Sequence, residues 1–210
     1  DLLMGAIVAR DPVRAEAVRI RRVLLGASPS AFDCYLALRG IRTLGVRTRQ
    51  QNASARSIAI TLADHPEVRA VHYPGLSEHP QHGLATKQLR QYGTVLSFEV
   101  ADRDTAAAFL SRLQIARVAT SLGGPETLVC NPATSTHASL TPDEQAACGV
   151  TAGLLRVSVG LEDCADLIAD YDAFSIILRK RMTHGIQADV HYTWSRTRDM
   201  ATHSNGGGAT

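Results

Sequence analysis

With 210 residues, the chain is long enough to bury the core of one domain, or of one domain and part of another. It is 45% hydrophobic and 20% charged, as ordinary soluble globular proteins are, and its net charge of +2 is too small to indicate nucleic-acid binding. No stretch reaches the ~18 apolar residues of a membrane span. The four cysteines are too widely spaced for a zinc ribbon or a dithiol motif. We therefore expect a cytoplasmic protein with reduced cysteines that binds neither nucleic acid nor membrane.

The first part of the sequence predicts a strand followed by two helices, over residues 4–9, 12–25 and 30–64. The first helix has typical boundaries, because Asp11 can cap it, Pro12 suits its first position and Gly26 is a common terminator. Within the longer helical stretch, Gly40, Gly45 and a polar run predict a break or kink.

Short strands and helices alternate in the rest of the chain. Strands are predicted over residues 68–74, 94–100, 116–122 and 154–160. Helices are predicted over residues 84–91, 104–113, 142–147 and 164–178. This alternation predicts an α/β layered fold with helices covering at least one face of a sheet. Residues 179–210 lose all periodicity and end in a glycine run, which predicts a disordered tail.

One arginine interrupts the last predicted strand. Arg156 stands among Leu and Val residues, with Ser158 on the same side because strand side chains alternate. A buried guanidinium is costly unless a carboxylate or a phosphate meets it. An ion pair with Glu162 or Asp163 would satisfy it internally, whereas a ligand carboxylate would be held by the planar fork of donors that only Arg offers. Spacing alone leaves both interpretations open.

The segment RVATSLGGPETLVCNPATSTHASL, residues 117–140, is too apolar at its start for a loop and too rich in small residues for a core element. Thr120 and Ser121 supply hydroxyls beside two glycines, where a backbone can be approached closely, although a simple turn also explains such a string. No activated nucleophile accompanies His137, and we interpret it as structural. The other loop histidines, with only Glu78 as a neighbouring carboxylate, predict no metal site; they are residues 72, 79 and 82.

Four segments occur in an order and spacing that resemble the C-terminal part of the Cys/Met-metabolism family of pyridoxal-phosphate (PLP) enzymes. They are SPSAFDCYLALRGIRTLGVRTRQQNA, VHYPGL with EHPQH, the TSLGG segment, and LLRVSVGLEDCADLIAD. The family includes cystathionine γ-synthase, cystathionine γ- and β-lyases, methionine γ-lyase and O-acetylhomoserine sulfhydrylase. The resemblance implies the aspartate aminotransferase-like fold type I over residues 1–178. It also implies that residues 1–50 end the large cofactor domain with its connecting helix, and that residues 51–178 form the small C-terminal domain.

The resemblance implies roles for four residues. Arg156 would grip the α-carboxylate of an amino-acid substrate, and Ser121 would help to hold it. Thr120 would line the pocket around the substrate side chain, and Thr136 would lie close to the same pocket. Thr120 stands where many γ-synthases and γ-lyases have Glu and β-lyases have Tyr, so the substrate remains open. A non-catalytic amino-acid-binding module is the alternative that the residues alone permit.

The resemblance also implies a PLP cofactor, a homotetramer built of intimate dimers, and elimination or replacement at Cγ or Cβ of sulfur-containing or O-acylated amino acids. The family binds PLP through a Lys in an S-x-T-K-Y stretch, which would lie a few residues before Asp1. Neither Lys87 nor Lys180 stands in that sequence context, so neither is a candidate for this lysine. We therefore expect this chain to be part of a longer enzyme and to be inactive by itself, since it lacks the amine that carries the cofactor.

Overall fold

The structure, a computed structural model, describes Leu2 and residues 4–172 of the chain. Within these residues the helices are α1 (Pro12–Leu24), α2 (Ala31–Ala63), α3 (His82–Gln88), α4 (Arg103–Leu110), α5 (Pro142–Ala147) and α6 (Cys164–Asp172). The strands are β1 (Ala70–His72), β2 (Val95–Glu99), β3 (Arg117–Val118), β4 (Leu128–Cys130) and β5 (Leu154–Ser158). A short 3-10 helix, Pro132–Thr134, follows β4.

The strands form one sheet in the order β1-β2-β5-β4-β3. All neighbouring strands are antiparallel except β3 and β4, which are parallel. The central strand is β5, and its register places Arg156 opposite Ser97 of β2 on one side and Cys130 of β4 on the other. Residues paired in this way present their side chains to the same face, so these three side chains share one face of the sheet.

The opposite face of the sheet carries the hydrophobic core. Leu155 and Val157 are fully buried on it, together with Phe98 of β2. The helices α2, α4 and α6 contribute the other side of this core through Ile58, Phe109 and Leu167 respectively. The result is the predicted α/β layered fold, with the helices gathered on the face away from Arg156.

Most predicted elements are confirmed, with ends that differ by a few residues. Asp11 caps α1 by accepting a hydrogen bond from the Val13 amide at 2.9 Å, and Gly26 ends it at φ +65°. Helix α5 has the predicted bounds because Thr141 and Glu144 form a reciprocal capping box. Residues 173–178 of the last predicted helix and the predicted tail, 179–210, lie outside the described residues.

Two predictions for the first part of the chain are wrong. The segment 4–9 is irregular rather than a strand, and Ile7 and Val8 are 75% and 95% exposed. A strand needs a neighbour to pair its backbone groups, and none of the five described strands lies beside this segment. The predicted break in the second helical stretch is absent: α2 passes through Gly40 and Gly45 without interruption, since an isolated glycine costs a helix only about 1 kcal/mol.

Candidate functional site

Arg156 lies at the centre of the sheet and is only partly buried. Its Nη2 donates a hydrogen bond to the backbone carbonyl oxygen of Ser121 at 2.7 Å. A guanidinium has five N–H donors, and within the part of the chain that the structure describes the rest find no acceptor. The side chain is therefore oriented by one bond and keeps donors that can meet a ligand carboxylate.

The internal ion pair considered from the sequence is not formed, because both carboxylates are engaged elsewhere. Glu162 accepts from the backbone nitrogen and from the hydroxyl of Thr127, each at 2.7 Å. Asp163 accepts from the Ala165 amide at 2.8 Å, in the first turn of α6. Among the described residues, the partner of Arg156 is a neutral carbonyl rather than an acid.

We call residues 121–124 the SLGG loop; it lies beside the end of β5. Ser158, 2% exposed, accepts a hydrogen bond from the Gly123 amide at 2.9 Å. Gly123 has φ +79°, a left-handed conformation that favours glycine and explains this residue in the motif. The side chain of Gln51 in α2 donates to the Gly124 carbonyl at 2.7 Å. The loop is therefore tied to the sheet and to α2.

Of the four predicted site residues, the structure joins two directly. Arg156 and Ser121 are hydrogen-bonded, although through the Ser121 backbone and not its hydroxyl. Thr120 is exposed in the stretch that leads into the SLGG loop. Thr136 is also exposed, and its hydroxyl lies 2.9 Å from Nδ1 of His137. No hydrogen bond connects either threonine to Arg156 within the described residues.

Sequence reasoning missed several residues that build the site. Strand β4, hidden in the glycine- and proline-rich segment, places the buried Cys130 beside Arg156. The short apolar run LVC was its one signal in the sequence. Gln51 and Thr127 hold the surrounding backbone; both stand in segments that carry the family resemblance, but nothing in their spacing predicted these partners. Ser158 was foreseen on the same face as Arg156, but not as an acceptor for the loop.

The described residues offer neither an anchor for a PLP cofactor nor a cluster of metal ligands. Lys87 is exposed in the last turn of α3, whereas an amine bound to PLP requires a buried setting. The described residues therefore do not supply the covalent anchor of PLP. Among the same residues, no cluster of three His, Cys, Asp or Glu side chains could hold a metal ion. None of the described helices is long and apolar enough to cross a bilayer.

Comparison with known proteins agrees with this architecture. The sequence is 40% identical to cystathionine gamma-lyase of Dictyostelium discoideum over 171 residues, which is 81% of this chain and 44% of that protein. It is 39% identical to cystathionine gamma-synthase of Escherichia coli K12 over 173 residues, 82% of this chain and 45% of that protein. The chain thus spans less than half the length of these relatives.

A solved structure shows the same likeness in three dimensions. Cystathionine gamma synthase from Xanthomonas oryzae, in complex with aminoacrylate and cysteine, superposes with a TM-score of 0.76 at 40% identity, over 80% of this chain and 43% of that one. This likeness confirms the α/β fold and its assignment to fold type I of the PLP-dependent enzymes. The family model for Cys/Met metabolism PLP-dependent enzymes matches residues 1–175. The chain belongs to that family.

Proposed function

We propose that this chain forms the part of a PLP-dependent transsulfuration enzyme that binds the α-carboxylate of the amino-acid substrate. The observation that carries the proposal is the state of Arg156, which is oriented by the Ser121 carbonyl and keeps free donors at the centre of the sheet. A planar guanidinium can bind a carboxylate through two parallel hydrogen bonds. The solved relative that holds cysteine and aminoacrylate supports an amino-acid ligand.

The finer assignments follow from the same proposal. Ser121 would assist Arg156 at the carboxylate, and the exposed hydroxyls of Thr120 and Thr136 would face the substrate side chain. The substrate would be a sulfur-containing or O-acylated amino acid that undergoes elimination or replacement at Cγ or Cβ. Because Lys87 is exposed and no described lysine is buried, we propose that this chain alone does not catalyse the reaction.

Domain organisation, assembly and location belong to the proposal as well. The division into residues 1–50, 51–178 and a tail is supported by burial, since no described residue before Gln51 is buried. Association into dimers or tetramers is supported by the exposed apolar side chains of α1 and of the first half of α2. All four cysteines are free, which supports a reducing compartment, the cytoplasm.

L-Cysteine and cysteamine, its analogue without the carboxylate, test the function directly. L-Cysteine is expected to shift the NMR signal of the Arg156 Nε–H group in a saturable way, whereas cysteamine leaves that signal in place.

In the complete enzyme, Arg156→Ala is expected to raise the KM for the amino acid by at least a hundredfold and to leave the visible absorption of bound PLP unchanged. Equal responses to both probes, or an unchanged KM, would refute carboxylate binding by Arg156.

A further inference from the structure

We infer that Gln51 is a positioning residue that fixes the SLGG loop and, through it, the guanidinium of Arg156. Gln51 is 1% exposed and is the first buried residue of α2. A buried amide is costly unless its polar atoms are satisfied, so the partners of this side chain show what it holds in place.

Both partners of the Gln51 amide are distant backbone carbonyls. Its Nε2 donates to Gly124 at 2.7 Å and to Val159 at 3.0 Å, which lie 73 and 108 residues away along the chain. An amide NH₂ has two donors, and these two bonds use both of them. One side chain therefore ties α2 to the SLGG loop and to the end of β5 at the same time.

Three hydrogen bonds hold the backbone of the SLGG loop, and the one from Gln51 is the last along the chain. The carbonyl of Ser121 accepts from Arg156, the amide of Gly123 donates to Ser158, and the carbonyl of Gly124 accepts from Gln51. If the Gly124 end moved, the Ser121 carbonyl three residues earlier would lose its fixed place beside the guanidinium. Gln51 thus acts on Arg156 through the loop, and no bond joins it to Arg156 itself. The inference rests on the proposed carboxylate binding.

The test uses Gln51→Met, which keeps the length of the side chain and removes both donors. The amides of Gly123 and of Leu161, which donates to Pro125 at 2.8 Å, are expected to exchange with solvent at least tenfold faster than in the unmodified chain. Amides of the β2–β5 ladder should keep their exchange rates. The affinity for L-cysteine, measured at the Arg156 Nε–H signal, is expected to fall at least tenfold.

Gln50→Met is the matched control, since Gln50 is exposed and its amide reaches only Ser54 on the same helix, at 3.4 Å. It should change neither exchange nor binding. If Gln51→Met does not fold, Gln51→Asn replaces it, because its amide is one methylene too short to reach both carbonyls.

Two results overturn the inference: unchanged loop exchange in the Gln51 variant, or faster exchange with undiminished L-cysteine affinity. A failure of the unmodified chain to bind L-cysteine refutes the proposed function instead, and the exchange rates then decide by themselves whether Gln51 fixes the loop.

Discussion

At the scale of single residues, the backbone around Arg156 depends on one buried hydroxyl. Thr127, 1% exposed, donates from Oγ1 to Glu162 at 2.7 Å and accepts from the Gly160 amide at 2.8 Å. Its own amide donates to the other oxygen of Glu162. The chain leaves β5 through Gly160, two residues after the strand ends, so this network sets the direction in which it turns away from Arg156.

Replacement of Thr127 by valine keeps the shape of the side chain and removes the hydroxyl. The buried Gly160 amide and one oxygen of the partly buried Glu162 then lose a partner, so Thr127→Val is expected to lower the free energy of unfolding by about 2–4 kcal/mol. Thr127→Ser keeps the hydroxyl and loses one methyl group, so it is expected to lower the free energy of unfolding by only about 1 kcal/mol. Urea unfolding of both variants measures the difference. A valine variant as stable as the serine variant would contradict this account.

At the scale of elements, α6 holds the connection between α4 and β3. The carboxylate of Asp170, 8% exposed, accepts from the backbone amides of Gln114, Ile115 and Ala116 at 2.8, 3.2 and 3.0 Å. This connection leads into β3 and then into the SLGG loop. The side chain of Asp170 therefore links α6, which packs against the core, to the backbone that leads to the site.

In the wild-type chain the two carboxylate oxygens of Asp170 accept hydrogen bonds from three backbone amides. Asp170→Asn leaves only one acceptor oxygen for them. We expect it to lower the free energy of unfolding by about 2–3 kcal/mol, because at least one of these partly or fully buried N–H groups loses its acceptor. Asp166→Asn, on the exposed side of the first turn of α6, should cost less than about 1 kcal/mol. Equal unfolding midpoints in urea for the two variants would show that Asp170 does not stabilise the connection between α4 and β3.

The elements themselves were predictable where local chemistry specifies them. Asp11 with Pro12, and Thr141 with Glu144, mark helix starts through bonds between near neighbours, and the structure contains both caps. Strand β4 was missed because a three-residue strand has no periodicity to read, and its existence depends on pairing with β5. The predicted break in α2 was wrong because continuous backbone hydrogen bonding outweighed two glycines.

At the scale of the molecule, burial is divided sharply along the chain. The described residues before Gln51 include no buried one, whereas the sheet and the second half of α2 form a continuous core. Large apolar side chains remain exposed on α1 and the first half of α2; they include Leu24, Phe32, Tyr35, Leu38 and Ile41. Helix α1 has 13 residues and none of them is buried, and such a short helix is marginally stable in water.

We therefore expect the amides of α1 to exchange with solvent at least a hundredfold faster than those of β5 when the chain is dilute. Hydrogen exchange measured over a range of protein concentrations provides the check. Protection of α1 that rises with concentration would show that a second copy covers this apolar surface. Protection equal to that of β5 in the dilute chain would contradict the division of burial described above.

The sequence by itself determined the family and the α/β class and singled out Arg156 as a candidate, because a charged residue among apolar neighbours and a run of motifs are both visible along the chain. The tertiary structure alone decided the partner of that arginine, which is the Ser121 carbonyl and neither Glu162 nor Asp163. It also decided the partners of Gln51, which lie 73 and 108 residues away. The physical reason is that hydrogen bonds form between atoms brought together by packing, and sequence spacing carries no record of contacts over such separations.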